Sequence, residues 1–225
     1  MSVGKGSVTS VSVSVGLATG LYGISFGALS VTAGFDIWQT MALSLLMFSG
    51  GSQFAFVATF AVGGIGALPA AITSAWLLGI RNGFYALSLA PKLGVLGLTR
   101  ALAAQLTIDE SAAVSSSRES ESEQKKGFWL TGISVFVFWN LATVLGGVLG
   151  NLISDPADFG LDAAAAAALF ALVWPRLQSL VGATVGAVAM IASVLLSLVL
   201  PTGIPVLAGA ALAVVAGLLV DRSKK

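Results

Sequence analysis

The sequence predicts an all-α integral membrane protein with about seven transmembrane helices. Only 9% of its 225 residues are charged and 56% are hydrophobic, whereas a typical soluble domain has about 25% charged residues. The charges leave four uncharged stretches, at 6–35, 37–80, 127–154 and 177–220. Because a helix needs about 20 mostly apolar residues to cross a bilayer, each stretch holds one or two spans. The 27 glycines indicate helices that pack closely or are interrupted.

Glycine and proline clusters and short polar turns divide these stretches into individual spans. We treat residues 1–225 as a single membrane domain with a cytoplasmic linker at 91–126. Its Ser/Glu/Lys-rich part, 115–126, is expected to be disordered. The third span should stop before Pro91, since proline interrupts helical hydrogen bonding. The predicted spans are 13–35, 38–62, 68–90, 127–153, 161–177, 180–200 and 206–220.

The distribution of basic residues predicts the orientation of these spans. Lys and Arg near membrane spans favour the cytoplasmic side. With seven spans, nine of the eleven basic residues lie on one side, in the linker, at Arg176 and in the C-terminal tail, and Lys5 alone lies opposite. A six-span count would separate the basic tail from the basic linker. We therefore expect a plasma-membrane protein with its N-terminus outside and its C-terminus in the cytoplasm.

Spans one to three and four to six run in opposite senses on this topology. Many transporters are built from such inverted repeats. Gly34-Phe35-Asp36 precedes span two, and Gly160-Leu161-Asp162 precedes span five. These short echoes are consistent with a 3+3 inverted repeat plus one extra helix, and the sequence leaves the repeat and its absence equally open.

Span one carries a stripe of glycines. Gly16, Gly20, Gly23 and Gly27 recur at spacings of four, three and four, so they share one helix face. We expect this face to make a close helix contact, with substrate access as the alternative.

The composition excludes most enzymatic chemistry. The chain has no Cys and no His, so thiolate nucleophiles and the commonest general base and metal ligand are missing. Asp36 is the only acid within the apolar blocks and lies in a joint, where it is predicted to cap a helix. We therefore expect no enzyme, metal or cofactor, and a net charge of +1 gives no reason to expect a nucleic-acid partner.

Arg81 is the one basic residue inside a predicted span. It lies ten residues before Pro91 and twelve after Pro69, roughly 15 Å and 18 Å along a helix. A guanidinium near the bilayer centre costs at least ~2.5 kcal/mol, so it needs an acceptor. Arg81 is therefore either the carboxylate site for a small zwitterion or a structural residue bonded to a carbonyl or a partner subunit.

Span two contains Ser49, Gly50, Gly51, Ser52 and Gln53 near its centre. Two adjacent glycines flanked by serines weaken a helix. An unwound stretch there would offer backbone groups and the Gln53 amide to a substrate, as in transporters with broken helices. The alternative is a continuous helix whose small residues allow tight packing.

Four further polar residues complete the candidate site. Asn82 and Tyr85 lie three apart and share a helix face, with Tyr85 alternatively a packed aromatic residue. Asp109 and Glu110 follow the amphipathic segment 98–106. They are either solvated loop acids or lie against the inner mouth, where one pairs with a basic residue or carries a proton. Without His, only Asp or Glu is available for a proton role.

The chain resembles the AzlC family in residues spread over 20–112. The matching residues are Phe26-Gly27, Gly34, Ser49-Gly50-Gly51-Ser52-Gln53-Phe54, Arg81, Tyr85 and Asp109-Glu110-Ser111. This resemblance implies a branched-chain amino acid export permease, driven by the proton motive force and paired with a small AzlD-type membrane subunit. The family usually has Asn two residues before the Arg and His just after it. Gly79 and Asn82 occupy those places here, so no role of that His is carried over.

Two functions are open from the sequence. In the first, the chain is a secondary transporter in the lipid bilayer: Arg81 holds the α-carboxylate of an amino acid, residues 49–53 add contacts, and Asp109 or Glu110 carries a proton. In the second, it is an assembly subunit whose Arg81 pairs with an acid of a partner subunit.

Overall fold

Every regular element in the described part of the chain is helical, which confirms the all-α class. The computed structural model describes residues 7–152, 170, 173–174, 177–200 and 204–222. A short 3-10 turn, Gly64–Ala67, joins the third and fourth helices. The helices are α1 (Val8–Thr32), α2 (Ile37–Leu46), α3 (Gly51–Gly63), α4 (Leu68–Leu93), α5 (Gly97–Gln105), α6 (Asp109–Ser116), α7 (Glu121–Asn151), α8 (Leu180–Leu196) and α9 (Ile204–Arg222).

Within the described residues, three stretches are long and apolar enough to cross a membrane. They are α1, the stretch Gly51–Leu93 and α7, with 25, 43 and 31 residues. The helices α2 and α8 are apolar but shorter, as is the Leu207–Gly217 part of α9. A helical membrane protein is thus supported. Seven spans and an inverted repeat stay predictions, and the predicted span 161–177 lies almost entirely outside the described residues.

The predicted second span is two helices. Asp36 begins α2 as predicted: its carboxylate accepts the Gln39 backbone N–H at 2.8 Å, and the Gln39 side chain accepts the Asp36 N–H at 3.0 Å. The chain leaves helical geometry after Leu46 and resumes at Gly51. Gly50 has φ +51°, which glycine adopts without a Cβ clash. The interruption therefore lies in the serine–glycine cluster that predicted it.

The glycine stripe of α1 packs against α7, as predicted. A Cβ on Gly16 would lie 2.5 Å from the Ser134 Cβ, and a Cβ on Gly23 would lie 2.6 Å from the Trp139 carbonyl oxygen. Real side chains do not approach so closely, so only glycine permits this helix spacing. The α1–α7 pair is the central contact of the fold.

Residues 115–126 are ordered and largely helical, so the prediction of a disordered segment there is wrong. The helix α4 continues through Pro91 to Leu93, where only its last turn lacks a hydrogen bond. The part 115–126 includes the end of α6 and the start of α7. The Ser120 hydroxyl accepts the Glu123 backbone N–H at 3.2 Å, and two glutamates in the first turn of α7 favour the positive end of its dipole. The polar residues of this segment thus form the start of a helix rather than a solvated coil.

The helices α5 and α6 fold back into the bundle. The helix α6 packs on α7, and a Cβ on Gly132 of α7 would lie 2.9 Å from the Leu106 Cβ. The side chain of Gln105, at the end of α5, reaches the end of α2. The turn between α5 and α6 therefore lies beside the helix interruption, and this placement creates the site.

Candidate functional site

Two glutamine side chains cap the C-terminal end of α2, where the interruption begins. A helix end leaves its last carbonyl groups without partners in the helix. The Gln53 amide donates to the carbonyl oxygens of Leu43 at 3.0 Å and Ser44 at 3.3 Å. The Gln105 amide donates to that of Leu45 at 2.7 Å. Because an apolar environment penalises unpaired carbonyl groups, these bonds make the interruption a stable part of the fold.

The start of α3, on the other side of the interruption, has no side-chain cap. Gly50 is its N-cap residue and contributes no side-chain hydrogen bond. A helix start carries a partial positive charge and attracts anions. Asn82 of α4 donates to the Ser49 hydroxyl at 3.2 Å, and the hydroxyls of Ser49 and Ser52 share a hydrogen bond of 2.9 Å. These contacts hold the loop beside an uncapped, electropositive helix start.

Arg81 finds its counter-ion within the chain. Its Nη1 lies 2.8 Å from the Asp109 Oδ2, and the two side chains are 20% and 36% exposed. Asp109 is the first residue of α6, where the helix dipole also favours a carboxylate. The pair connects the middle of α4 to the turn between α5 and α6. Of the two readings of Asp109, the solvated loop acid is therefore wrong.

Glu110 lies next to this pair and faces a different helix. The Thr19 hydroxyl of α1 donates to Glu110 Oε1 at 3.5 Å. Burial raises the pKa of Glu110, as does the charge of Asp109, while its own backbone N–H, Arg81 and the Thr19 hydroxyl act in the opposite sense. Within the described residues, no ion pair joins Glu110 to a basic side chain. Glu110 is thus an inward-facing carboxyl that takes up a proton more readily than a surface glutamate.

A cavity of about 270 Å³ lies where the interruption, the ion pair and Glu110 meet. Small-molecule sites are commonly about 300–1,000 Å³, so this one is compact. Helices α1, α3, α4, α6 and α7 all contribute to its wall. The lining residues are Thr19, Tyr22, Phe48, Ser49, Gly50, Gly51, Phe54, Arg81, Ile108, Asp109, Glu110, Val135 and Trp139.

Part of the cavity wall is aromatic, with Phe48, Phe54 and Trp139 among its lining residues. Phe26, Phe54 and Trp139 form a cluster with ring centroids 5.8–6.2 Å apart. Trp139 is 3% exposed, and its indole N–H has no hydrogen-bond partner in the structure. The site thus combines a positive helix start, an ion pair, a further acid and an apolar surface.

Most, but not all, of the residues predicted for the site line this cavity. Gln53 is fully buried and caps α2 instead. Ser52 and Asn82 line an adjoining groove of about 800 Å³ formed by α2, α3, α4 and α5, which shares Phe48 and Ser49 with the cavity. Tyr85 packs against the hydrophobic core. The predicted residues that do line the cavity are Ser49, Gly50, Gly51, Arg81, Asp109 and Glu110.

Several lining residues were not expected from the sequence. Thr19 and Tyr22 lie in the glycine-rich first helix, and Trp139 lies in α7. A hydroxyl or an indole N–H in an otherwise apolar helix was the only signal they carried. The capping role of Gln105 had no local signal, because its partner Leu45 is remote in sequence.

Residues 14–153 match the protein family described as AzlC protein. The match includes all residues of the cavity wall. No curated protein and no solved structure matches the chain. Because the family match covers well over half of the sequence, the chain belongs to the AzlC family, which indicates a membrane protein with a transport-related function.

Proposed function

We propose that the chain is a secondary transporter that exports branched-chain or related apolar amino acids across the plasma membrane. In this proposal it is coupled to protons and works with a small AzlD-type membrane subunit. The observation that carries the proposal is the cavity, whose wall brings together positive and negative groups and apolar side chains. An amino acid zwitterion with an apolar side chain has the matching combination of charged and apolar groups.

The charged end of such a substrate has partners of both signs. Its carboxylate fits the uncapped start of α3 at Gly50 and Gly51, with the Arg81 guanidinium nearby. Its ammonium group needs an anion, and Glu110 is the acid of the cavity that has no basic partner. This arrangement revises the expected role of Arg81, which shares its charge with Asp109 instead of serving the substrate alone.

The apolar end of the substrate would contact Phe48, Phe54 and Trp139. Burying an aliphatic side chain of the size of Val or Leu stabilises binding by about 1.5–3 kcal/mol. A charged or strongly polar side chain would lose its hydration without finding a partner on this wall. The site therefore favours apolar amino acids over polar ones.

Export from intact cells tests this function. Cells that express the chain together with a partner subunit are fed a leucine-containing dipeptide, and the leucine that appears outside is measured over time. We expect the wild-type chain to increase export and Arg81→Ala to abolish the increase. Arg100→Ala is the matched control, because Arg100 is an exposed residue of α5 and should leave export unchanged. Equal export by wild type and Arg81→Ala would contradict the proposed site.

The alternative function is an assembly subunit whose Arg81 pairs with an acid of a partner. It has less support, since Asp109 already supplies the counter-ion within the chain. On this alternative, Arg81→Ala would release the partner subunit in a pull-down. On the transporter proposal, the same variant keeps its partner and loses export.

A further inference from the structure

We propose that a proton and the ammonium group of the substrate compete for Glu110, while Asp109 remains the fixed counter-ion of Arg81. This inference rests on the proposed function and goes further by separating the roles of the two acids. Proton binding and amino acid binding are then coupled because they exclude each other: this carboxyl holds a proton or the substrate ammonium group, but not both.

The two acids are neighbours in sequence but have different partners. Consecutive residues of a helix do not share a face. Asp109 accordingly points to α4, with 2.8 Å between its carboxylate and the Arg81 guanidinium. Glu110 points to α1, where it meets the hydroxyl of Thr19. Asp109 is thus already neutralised by an ion pair, whereas among the described residues Glu110 forms no ion pair of its own and accepts its side-chain hydrogen bond from a neutral hydroxyl.

Among the described residues, Arg81 is the one cation that acts on Glu110. Arg81 and Asp109 are the charged groups that act on it, and they carry opposite charges. The phenol of Tyr22 is the titratable group that α1 adds to the cavity wall. The wall residues contributed by α3 and α7 are Gly51, Phe54, Val135 and Trp139, and none of them titrates. An ammonium group that enters the cavity therefore finds Glu110 as the available anion.

The exchange at Glu110 balances in atoms and charge. Below its pKa, which burial raises, the carboxyl group of the empty site holds a proton. When the amino acid binds, the carboxyl O–H bond breaks, the proton passes to water, and the substrate ammonium donates a hydrogen bond to the resulting carboxylate. One proton leaves for each amino acid bound. A carrier with this rule exchanges one proton for one amino acid, as proton-driven export requires.

Calorimetry measures this exchange directly. Full-length protein in lipid nanodiscs is titrated with L-leucine in two buffers of different ionisation heat, at several pH values, and the difference in heat gives the protons released per leucine. We expect the wild type to release close to one proton below the pKa of Glu110 and none well above it. Leucine affinity should rise with pH over the same range.

Variants of the two acids separate their roles. Glu110→Gln should release no proton at any pH and bind leucine roughly tenfold more weakly. Glu110→Asp keeps a carboxyl group and should restore proton release. Such release would show that a substitution at this position leaves the protein folded. Asp109→Asn should still release a proton, but at lower pH, because the freed charge of Arg81 lowers the pKa of Glu110. Glu123→Gln, on an exposed residue of α7, is the control and should match the wild type.

Each contrary result has a distinct meaning. Proton release by Glu110→Gln equal to that of the wild type would overturn the inference. So would loss of release in Asp109→Asn with release kept in Glu110→Gln, since Asp109 would then be the proton site. If the wild type bound leucine without any proton release, the competition would be refuted while the transport site stood. If the wild type bound no leucine, the proposed function would fail, and the inference with it.

Discussion

The α1–α7 interface and the interruption between α2 and α3 differ in how their buried polar atoms are hydrogen-bonded. At the interface, the Ser12 and Thr131 hydroxyls bond to each other at 2.9 Å, and the Thr143 hydroxyl donates to the Trp139 carbonyl oxygen at 2.8 Å. Around the interruption, the Arg81 Nε and the Asp109 Oδ1 are buried and have no hydrogen-bond partner among the described residues. Unpaired buried polar atoms are rare in proteins and call for an explanation.

The explanation we favour is a division between a rigid frame and a site prepared for a ligand. Glycines bring α1 and α7 into backbone contact, which leaves no room for another molecule. The interruption replaces helix contacts with a cavity, an ion pair and an uncapped helix start. Close packing between α1 and α7 thus supports an irregular, polar site at the interruption between α2 and α3. The following predictions test this division.

The largest effect should come from the frame. In Gly27→Val, the new side chain would collide with the Thr143 carbonyl oxygen and with Gly147 N, which are backbone atoms that do not move aside. Overpacking of a core typically costs about 1–3 kcal/mol, and we expect the upper end or more here. The variant should give little folded protein on size-exclusion chromatography. Gly217→Val is the control, because nothing lies within 4 Å of its added Cβ; equal yields of the two variants would contradict the close contact.

Arg81→Lys should affect the site and leave the frame intact. Lysine keeps the charge but lacks the planar fork that can hold Asp109 and a substrate carboxylate together. Loss of one hydrogen bond to a charged group is worth about 1.5–3 kcal/mol, so leucine export should fall at least roughly tenfold. Thermal unfolding, followed by tryptophan fluorescence, should stay close to that of the wild type. Normal export by this variant would rule out the assigned role of Arg81.

The two capping glutamines should contribute unequally to stability. Gln53 is fully buried and makes two bonds to α2, whereas the single bond of Gln105 lies at the surface. We expect Gln53→Ala to lower the free energy of unfolding by roughly 2 kcal/mol and Gln105→Ala by less than about 1 kcal/mol. Chemical denaturation of both variants measures the difference. A larger loss in Gln105→Ala would show that the α5–α6 turn, not α3, holds the interruption in place.

The smallest effect should be the pH dependence of stability due to Glu110. Burial raises the pKa of Glu110 above that of the unfolded chain, so the folded state binds the proton more tightly. This contribution to stability is complete below the unfolded pKa and is lost as the pH rises through the folded pKa. The melting temperature of the wild type should therefore fall over that range, and Glu110→Gln should not show this fall. An identical pH profile for both proteins would mean that Glu110 is not buried as described.

Some features of this molecule follow from short stretches of sequence. The capping of α2 by Asp36, the interruption at Gly50 and the close packing of the α1 glycines were all predicted from a few neighbouring residues. Local geometry determines them, because a cap, a positive φ angle or a bare helix face needs no distant partner. The prediction of disorder for 115–126 is wrong because the same polar composition also suits a helix start, which Ser120 caps.

The sequence by itself determined that the protein is helical and apolar, that residues 49–53 weaken one helix, and that Arg81 needs an acceptor. Only the tertiary structure decided which anion it has, since Asp109 reaches Arg81 through the folding back of α5 and α6. The same fold places Glu110 beside Thr19, 91 residues away, and Trp139 of α7 in the cavity wall. Hydropathy and local propensity constrain each helix along the chain, but the partners of a buried charge depend on packing between helices that are remote in sequence.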